Sequence, residues 1–196
     1  MRKVVVDEFM SLDGVAQAPG GPEEDQSGGF RHGGWQLQHE GGSETPGTWA
    51  LDNITGAGGF LLGRRTYELF AGYWPTAPEA PQAIAQPLNT KPKYVASRTL
   101  TEPLEWENST LLQGELEDSV NALKQEDGGD IHVIGSTELV RGLVERDLVD
   151  ELRLVIYPIS LGGGKRFLPD DGARKNWNLE DSRATGGVIV ATYTSR

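Results

Sequence analysis

The stretch Asp130-Ile-His-Val-Ile-Gly-Ser-Thr-Glu-Leu-Val-Arg-Gly-Leu-Val-Glu-Arg-Asp-Leu-Val-Asp-Glu-Leu-Arg-Leu-Val-Ile-Tyr-Pro158 decides the fold. Its apolar pattern indicates a short buried strand, a tight turn, a helix and a second strand. The turn, Gly135-Ser136-Thr137, leads directly into the helix. Its backbone N–H groups therefore lack partners at the positive end of the helix dipole. Such a turn is a candidate phosphate site.

The remainder of the chain alternates between strand and helix patterns. Strands are expected at 3–9, 60–62, 93–97, 131–134, 152–157 and 188–193, and helices near 48–55, 63–70, 116–123 and 139–144. Alternation of this kind predicts parallel βαβ units, whereas the last two strands lack an intervening helix and predict an antiparallel edge. We therefore predict a single α/β domain over residues 1–196, with three α/β/α layers and a mixed, mostly parallel central sheet.

Two segments fit no regular element. Residues 13–48 contain four Gly-Gly pairs and few apolar anchors. A loop of this length inside a domain is usually functional or mobile, so we interpret residues 17–48 as a flexible flap over a ligand site. Disorder or an insertion would explain the same composition. The proline-rich segment 75–92 is predicted to carry the chain across the surface.

Composition narrows the class of protein. The 196 residues include no cysteine, which excludes disulfides, zinc–thiolate sites and cysteine nucleophiles. The net charge of -11 disfavours nucleic acids and anionic membranes as partners. No apolar run approaches the ~20 residues that span a bilayer, and no signal-peptide pattern is present, so a cytoplasmic protein is expected. No grouping of His, Asp and Glu has metal-ligand spacing, and no metal is predicted.

A second candidate phosphate site follows the predicted strand at 60–62. Gly63 lets the backbone approach a ligand closely, and Thr66 lies in the first turn of the next helix. Arg64 and Arg65 carry planar guanidinium groups that suit phosphate oxygens. Ordinary surface arginines at a helix start remain the alternative interpretation.

A third candidate follows the strand at 93–97. A hydroxyl beside an arginine, at Ser97 and Arg98, suits a ribose 2′-phosphate and so favours NADPH over NADH. The turn at Gly135 lacks the Gly-x-Gly-x-x-Gly fingerprint of an ordinary Rossmann domain. The run Gly162-Gly163-Gly164-Lys165 lacks the first glycine and the Ser/Thr of a P-loop, and is interpreted as a turn.

Taken in order, these motifs resemble the dihydrofolate reductase-like superfamily. The resemblance is to the branch that includes the C-terminal reductase domain of the riboflavin-pathway bifunctional deaminase-reductase, and it spans essentially the whole chain. The matching segments are Ser11-Leu-Asp-Gly14, Leu62-Gly-Arg-Arg-Thr-Tyr67, Val133-Ile-Gly-Ser-Thr-Glu-Leu139, Leu148-Val-Asp-Glu-Leu-Arg-Leu154 and Pro158-Ile-Ser-Leu-Gly-Gly-Gly164.

The resemblance implies NADPH as the hydride donor, with the protein orienting it against an electron-poor C=N or C=O bond. It implies three phosphate contacts and one nicotinamide contact. The phosphates would be held by Gly63, Arg64, Arg65 and Thr66, the 2′-phosphate end by Ser97 and Arg98, the pyrophosphate by Gly135, Ser136 and Thr137, and the nicotinamide would lie near Val15 and Ala16.

Two positions bear on the substrate. Riboflavin-pathway reductases typically have a substrate-binding glutamate just before the Gly-Gly turn, but this chain has Ile134, an apolar residue as in dihydrofolate reductases. The carboxylate that assists protonation in dihydrofolate reductases has no direct counterpart, because the matching position is Gly47. Asp52 is our candidate for that role, and a solvated helix acid is the alternative. His132, on a buried strand, is interpreted as a packed, hydrogen-bonded residue.

These features predict an NADPH-dependent reductase of a small pterin-like or ribosylaminopyrimidine-like heterocycle. A non-catalytic NADPH-binding sensor or scaffold of the same fold is the alternative, because both family carboxylates are absent. A purely structural domain would leave the arginine-containing turns without explanation. A homodimer is expected, since members of this branch tend to pair and the last strands offer an apolar edge.

Overall fold

The computed structural model describes residues 1–38, 44–77 and 80–196, and it confirms the α/β fold. The strands of the described chain are β1 (Val4–Ser11), β2 (Gly59–Gly63), β3 (Lys93–Ala96), β4 (Ser109–Leu111), β5 (Ile131–Ile134), β6 (Glu151–Tyr157), β7 (Trp177–Thr185) and β8 (Val188–Ser195). The α-helices are α1 (Glu44–Gly56), α2 (Arg64–Tyr73), α3 (Gln82–Thr90), α4 (Leu116–Gln125) and α5 (Thr137–Glu145). No helix within the described ranges is long and apolar enough to cross a membrane.

The strands form one sheet in the order β4-β3-β2-β5-β1-β6-β8-β7. Every pair from β4 to β6 is parallel, and β8 and β7 add antiparallel strands at one edge. The prediction of a mixed, mostly parallel sheet is therefore confirmed. The carboxyl ends of β3, β2, β5 and β1 lie side by side along one edge, which is where ligands bind in sheets of this kind.

Helices cover both faces of the sheet. Val4 and Val6 of β1 pack in one apolar core with Leu143 of α5. On the opposite face, Phe60 of β2 packs in a second core with Leu88 of α3. Because successive side chains of a strand point to opposite faces, both cores form on the same strands and hold the three layers together.

The proline-rich segment differs from the prediction, because residues 82–90 of it form α3. Pro81 is the N-cap residue, where its missing N–H has no cost, and Pro87 lies in the last turns of the helix. The carbonyl groups at the end of α3 accept hydrogen bonds from the buried ammonium group of Lys93 on β3. The accepting oxygens are those of Leu88, Asn89 and Lys91, at 2.9, 3.2 and 3.0 Å. Tertiary contacts therefore stabilise a helix that the sequence pattern disfavours.

The predicted flap also has more structure than expected. Helix α1 begins at residue 44, inside the predicted range, and residues 39–43 lie outside the described residues. Trp35 is buried, and its ring makes an edge contact with Tyr157 of β6 at 5.4 Å between ring centres. The Lys165 ammonium lies 2.7 Å from the Asp25 carboxylate. The described part of the flap is thus anchored to the domain at two points.

Candidate functional site

Two of the predicted phosphate turns are joined by a direct contact. The Gly63 N–H, at the end of β2, donates to the Ser136 hydroxyl oxygen at 2.9 Å. The same hydroxyl donates to Thr66 Oγ1 at 2.8 Å. Since Ser136 lies between β5 and α5, these two bonds hold the starts of α2 and α5 side by side.

The backbone at this junction is specialised. Gly135 and Ser136 have φ values of 60° and 62°, in the left-handed region. For Ser136 this conformation costs about 1–2 kcal/mol, so its neighbours must impose it. A Cβ on Gly63 would lie only 3.2 Å from Ser136 Oγ and 3.3 Å from Ser136 Cβ, so the close approach of the turns favours glycine at position 63.

The first turns of α2 and α5 are open to an anion. Neither N-cap residue, Gly63 or Ser136, makes a side-chain capping bond to its own helix. The N–H groups that begin each helix therefore present partial positive charge to the space at the sheet edge. Two such helix starts side by side suit a ligand with two linked phosphates.

The arginines of α2 have only weak partners. Arg64 lies 3.7 Å from Glu68, and Arg65 lies 3.7 Å from Glu138, with the arginine side chains 44% and 55% exposed. Exposed ion pairs at that distance contribute little. Both guanidinium groups can therefore rearrange to meet a phosphate, and Arg65 also offsets the acidic Glu138 in the first turn of α5.

The third predicted turn lies along the same edge, because β3 is the neighbour of β2. Ser97 Oγ accepts from the N–H groups of Thr99 and Leu100 at 3.1 and 3.0 Å, which gives the turn a fixed shape. Arg98 is exposed and forms no ion pair with any residue in the described part of the chain. The structure thus places the three turns in one row, in the order of the strands that carry them.

Val15 and Ala16 lie just past the end of β1, and both are buried. The Val15 N–H donates to Ser11 Oγ at 2.9 Å, and the Ala16 N–H donates to the Lys165 carbonyl at 2.9 Å. Strand β1 is the neighbour of β5, so this segment is one strand away from the Gly135 turn. Their contact with a nicotinamide stays a prediction.

The structure separates the two predicted substrate-side residues. Ile134, the last residue of β5, is partly exposed and packs against the core between the sheet and α1–α3. Asp52 is exposed on α1, whereas Asn53 is buried and accepts a hydrogen bond from Arg153 Nη1 at 2.7 Å. Among the described residues the Asp52 side chain is left exposed, and its catalytic role stays a prediction.

A buried polar cluster was missed in the sequence. Asp7 Oδ2 and His132 Nδ1 share a hydrogen bond of 2.5 Å between β1 and β5. Arg153 Nε donates to Glu151 at 2.6 Å on the next strand. In the described structure Asp7 Oδ1 and Asn53 Nδ2 are buried without hydrogen-bond partners. Carboxylates are rarely buried within apolar strands. The acidic residue Asp7 in the otherwise apolar start of β1 could therefore have indicated a functional group. The bond to His132 agrees with the packed role predicted for that residue.

Burial shapes the acidity of two neighbouring carboxyls. Burial raises the pKa of Asp7, and the hydrogen bond and charge of His132 oppose this only in part. Glu8 points to the opposite face of β1, where burial, with Asp7 and Glu24 adding to it, raises its pKa well above the usual value. Glu8 Oε1 also lacks a partner among the described residues.

An apolar depression lies apart from the three turns. It measures about 410 Å³ and lies where β6 and β8 meet, lined by Leu12, Ile156, Pro158 and residues 184–189. Strands β1 and β6 separate it from the Gly135 turn, so it belongs to a different part of the surface.

The chain has a dihydrofolate reductase-like fold. The chain belongs to the RibD C-terminal domain family, whose model matches residues 2–191. It is 28% identical to the uncharacterized protein YyaP of Bacillus subtilis (strain 168), over 98% of this chain and 94% of that protein.

Two solved structures have a similar fold. One is a Shewanella sp. PV-4 protein provisionally named a riboflavin biosynthesis protein, with a TM-score of 0.70, 20% identity and 99% of each chain covered. The other is dihydrofolate reductase from Enterococcus faecalis complexed with NADP(H) and RAB-propyl, with a TM-score of 0.59 and 13% identity, covering 99% of this chain and 96% of that one.

Proposed function

We propose that this protein is an NADPH-dependent reductase of a small heterocycle, either pterin-like or ribosylaminopyrimidine-like, which acts by hydride transfer. The observation that carries the proposal is the bond between the Gly63 N–H and the Ser136 hydroxyl, at 2.9 Å, which sets two uncapped helix starts side by side. Membership of the RibD C-terminal domain family and the NADP(H) complex of the Enterococcus relative support it.

The two helix starts are proposed to hold the cofactor's phosphates. The N–H groups of Arg64, Arg65 and Thr66 would meet one phosphate and those of Gly135 to Thr137 the other. The guanidinium groups add positive charge in a protein whose net charge is -11. Without such local charge, the overall field would disfavour a nucleotide.

Ser97 and Arg98 are proposed to bind the 2′-phosphate. Arg98 is exposed at the end of the row and has no acidic partner among the described residues, so its charge is available to a ligand. A guanidinium group binds a phosphate monoester with two charge-assisted hydrogen bonds, whereas a free hydroxyl at that position offers only one uncharged acceptor. This contact would make NADPH the preferred cofactor over NADH.

The bound cofactor would supply a hydride, and the protein would orient the acceptor against it. Val15 and Ala16 would border the nicotinamide at the end of β1. Ile134 offers an apolar surface to the flat face of a heterocyclic ring, beside the partly exposed Phe9. The Phe9 ring makes an edge contact with Trp49 of α1 at 5.3 Å, so the surface continues onto the helix.

Cofactor titration tests the proposal. We expect the wild-type protein to quench or shift NADPH fluorescence and to bind NADPH at least tenfold more tightly than NADH. Arg98→Ala should remove most of that preference, because it removes the charge that faces the 2′-phosphate. Arg183→Ala, an exposed arginine on β7 at the far edge of the sheet, is the matched control and should leave both affinities unchanged.

Turnover separates the two interpretations of NADPH binding. With 7,8-dihydropterin or ribosylaminouracil as acceptor, a reductase oxidises NADPH, whereas a sensor or scaffold binds NADPH without turnover. Equal affinities for NADPH in the wild-type protein, Arg64→Ala and Arg98→Ala would contradict the phosphate assignment and favour a partner-binding domain.

A homodimer through the antiparallel edge is part of the proposal. Leu179, Ile189 and Leu12 are 57%, 46% and 62% exposed. The first two lie on β7 and β8, and Leu12 lines the depression beside them. An exposed apolar edge strand is a surface that a second copy can cover. Light scattering should give twice the chain mass, and Leu179→Lys should give the monomer mass.

A further inference from the structure

We infer that Asp7 supplies the proton that accompanies the hydride, with His132 holding its carboxyl in place. This inference rests on the proposed reductase function and assigns the acid of that reaction to β1 rather than to α1. In this inference the acid is the carboxyl of Asp7 in the sheet, below Ile134 and Phe9, and not that of Asp52 on α1.

The strand register places Asp7 beside the cofactor turns. On one side Asp7 is aligned with Ile134, the last residue before the Gly135 turn, and on the other with Arg153. Neighbouring strands lie about 4.8 Å apart, so the Asp7 and Ile134 side chains are adjacent on the same face. Phe9 is the next residue of β1 on that face, toward the open end of the sheet.

The hydrogen bonds of Asp7 leave one oxygen available. Oδ2 is bonded to His132 Nδ1 at 2.5 Å, which fixes the orientation of the carboxyl group. Oδ1 has no partner among the described residues, although the side chain is only 4% exposed. Buried polar atoms are nearly always hydrogen-bonded, so an unpartnered oxygen beside a ligand surface indicates a bond made to the ligand.

A second unpartnered atom lies on α1, on the face of the sheet that carries Asp7 and Arg153. Asn53 Nδ2 of α1 is buried without an acceptor among the described residues, while Asn53 Oδ1 accepts from Arg153. Asp7 and Asn53 thus flank one arginine, one from the sheet and one from the helix. An N–H donor and a carboxyl together complement a heterocycle edge that carries both a C=O and a ring nitrogen.

The surrounding charges favour proton release to a substrate. Burial raises the pKa of Asp7. The hydrogen bond with His132 and the positive charge of Arg153 lower this pKa, while Glu151 on β6 raises it further. The hydrogen bond with His132 and the charge of Arg153 also stabilise the carboxylate that remains after transfer. Lys3 lies 3.3 Å from Glu151 and offsets its negative charge. The carboxylate formed on Asp7 is therefore repelled less by Glu151.

The step balances as follows. A hydride adds to the carbon of a C=N bond, the π electrons move to nitrogen, and the Asp7 Oδ1–H bond breaks as the new N–H bond forms. NADPH is oxidised to NADP⁺ and the heterocycle is reduced. Asp7 is left as a carboxylate beside His132, and one proton from water restores the acid. Asp52 is exposed, so bulk water could replace it as the proton donor, whereas Asp7 is buried and would exchange its proton with solvent only after the product leaves.

Single-turnover kinetics tests the inference. The probes are 7,8-dihydropterin and ribosylaminouracil, mixed with the NADPH-loaded protein in a stopped-flow instrument. Asp7→Asn keeps the shape of the side chain and should slow hydride transfer at least 100-fold and flatten its pH profile, since general acids contribute about 10²–10⁴ in rate. The affinity for NADPH should change less than twofold.

Glu8→Gln is the matched control. Glu8 is adjacent in sequence, equally buried and also has an unpartnered oxygen, but it lies on the opposite face of β1. Its hydride-transfer rate should stay within threefold of wild type. An unchanged rate and pH profile in Asp7→Asn, an equal loss in both variants, or a comparable loss in Asp52→Asn would each overturn the assignment.

If neither 7,8-dihydropterin nor ribosylaminouracil is reduced, a binding measurement tests whether Asp7 donates a proton. A 2,4-diaminopteridine, added with NADP⁺, reports protonation of its ring by its ultraviolet spectrum. The wild-type protein should bind it in the protonated form, and Asp7→Asn should bind it at least tenfold more weakly and in the neutral form. Identical spectra would overturn the inference. Absence of NADPH or NADP⁺ binding by the wild-type protein would instead refute the proposed function.

Discussion

The Ser136 hydroxyl and the Gly63 N–H lie 2.9 Å apart although 73 residues separate them in the chain. One hydroxyl group therefore sets the distance between the starts of α2 and α5. Its second bond, to Thr66 Oγ1 at 2.8 Å, fixes the direction of the hydroxyl proton. Two contacts between the turns of the candidate cofactor site thus depend on this one side chain.

Gly63→Ala should separate the two turns. The added methyl group would lie 3.2 Å from Ser136 Oγ, which is tighter than most Cβ contacts, so we expect Ser136 to shift and its hydrogen bond to Gly63 to weaken. We expect a loss of about 1–3 kcal/mol in the free energy of unfolding, typical of overpacking, and at least tenfold weaker NADPH binding. Denaturant titration and NADPH fluorescence provide the two measurements.

Gly72→Ala is the control for that substitution. A Cβ at Gly72, in α2, meets no atom within 4 Å. Alanine in a helix interior is favoured over glycine by up to about 1 kcal/mol, so this variant should be slightly more stable and bind NADPH normally. Equal behaviour of the two variants would show that the contact between the turns has no role in binding.

Two substitutions of Ser136 separate backbone strain from hydrogen bonding. Both Ser136→Ala and Ser136→Gly remove the hydroxyl group, but only glycine adopts a φ of 62° without cost. We expect both to be less stable than wild type, with the glycine variant about 1 kcal/mol more stable than the alanine variant. Urea unfolding would measure the difference, and the opposite order would refute the strain at this residue.

Glu8→Gln should raise stability at neutral pH. The pKa of Glu8 is raised in the folded state, so its ionisation opposes folding increasingly as the pH rises above the ordinary value of 4.5. Glutamine removes that ionisation, and each ~1 kcal/mol gained raises Tm by about 2–4 °C in a chain of this size. The gain in Tm should be larger at pH 7.5 than at pH 4.5, and a gain independent of pH would contradict the buried charge.

The Asp25–Lys165 pair should stabilise the anchored flap in a pH-dependent way. Partial burial raises the pKa of Asp25, but hydrogen bonds from Lys165 and Ser27 outweigh it and lower the pKa to about 2. The stability of the pair is therefore complete above the unfolded-state value near 3.8 and is lost as the pH falls toward 2. Lys165→Met should cost about 1 kcal/mol at pH 7, and the difference from wild type should shrink below pH 4.

Lys175→Met is the comparison for this pair. Lys175 lies 2.6 Å from Asp147, but that carboxylate is 79% exposed, and such pairs contribute little. A loss as large as that of Lys165→Met would show that the measured effect is not specific to the flap contact.

The sequence predicted the fold well because its main elements combine local pattern with turn chemistry. The strand, turn and helix at 131–144 are formed as predicted, and so is the antiparallel edge. The elements that were missed have weak local patterns. Strand β7 carries Glu180, Asp181 and Arg183 on an exposed edge, and α3 contains two prolines in or beside it, so both depend on tertiary contacts.

The candidate site was predicted only in part, for a different physical reason. Turns that follow buried strands are visible in sequence, and the three predicted ones do lie along one sheet edge, two of them directly before a helix. The contact between Asp7 and His132 joins residues 125 positions apart, and it depends on the register of two strands. No local pattern encodes that register, so the contact between Asp7 and His132 could not be predicted from the sequence, and the role of Asp52 stays a prediction.

Amide chemical shifts of the ¹⁵N-labelled protein, recorded during titration with NADPH, test the central claim most directly. The N–H groups at 64–66 and 135–137 should shift downfield together and saturate with one binding constant, since each set would donate to a phosphate. The amides of β7 should not move. Saturating NADPH that leaves both sets unshifted, or shifts only the amides around the depression at 184–189, would contradict the placement of the cofactor between α2 and α5.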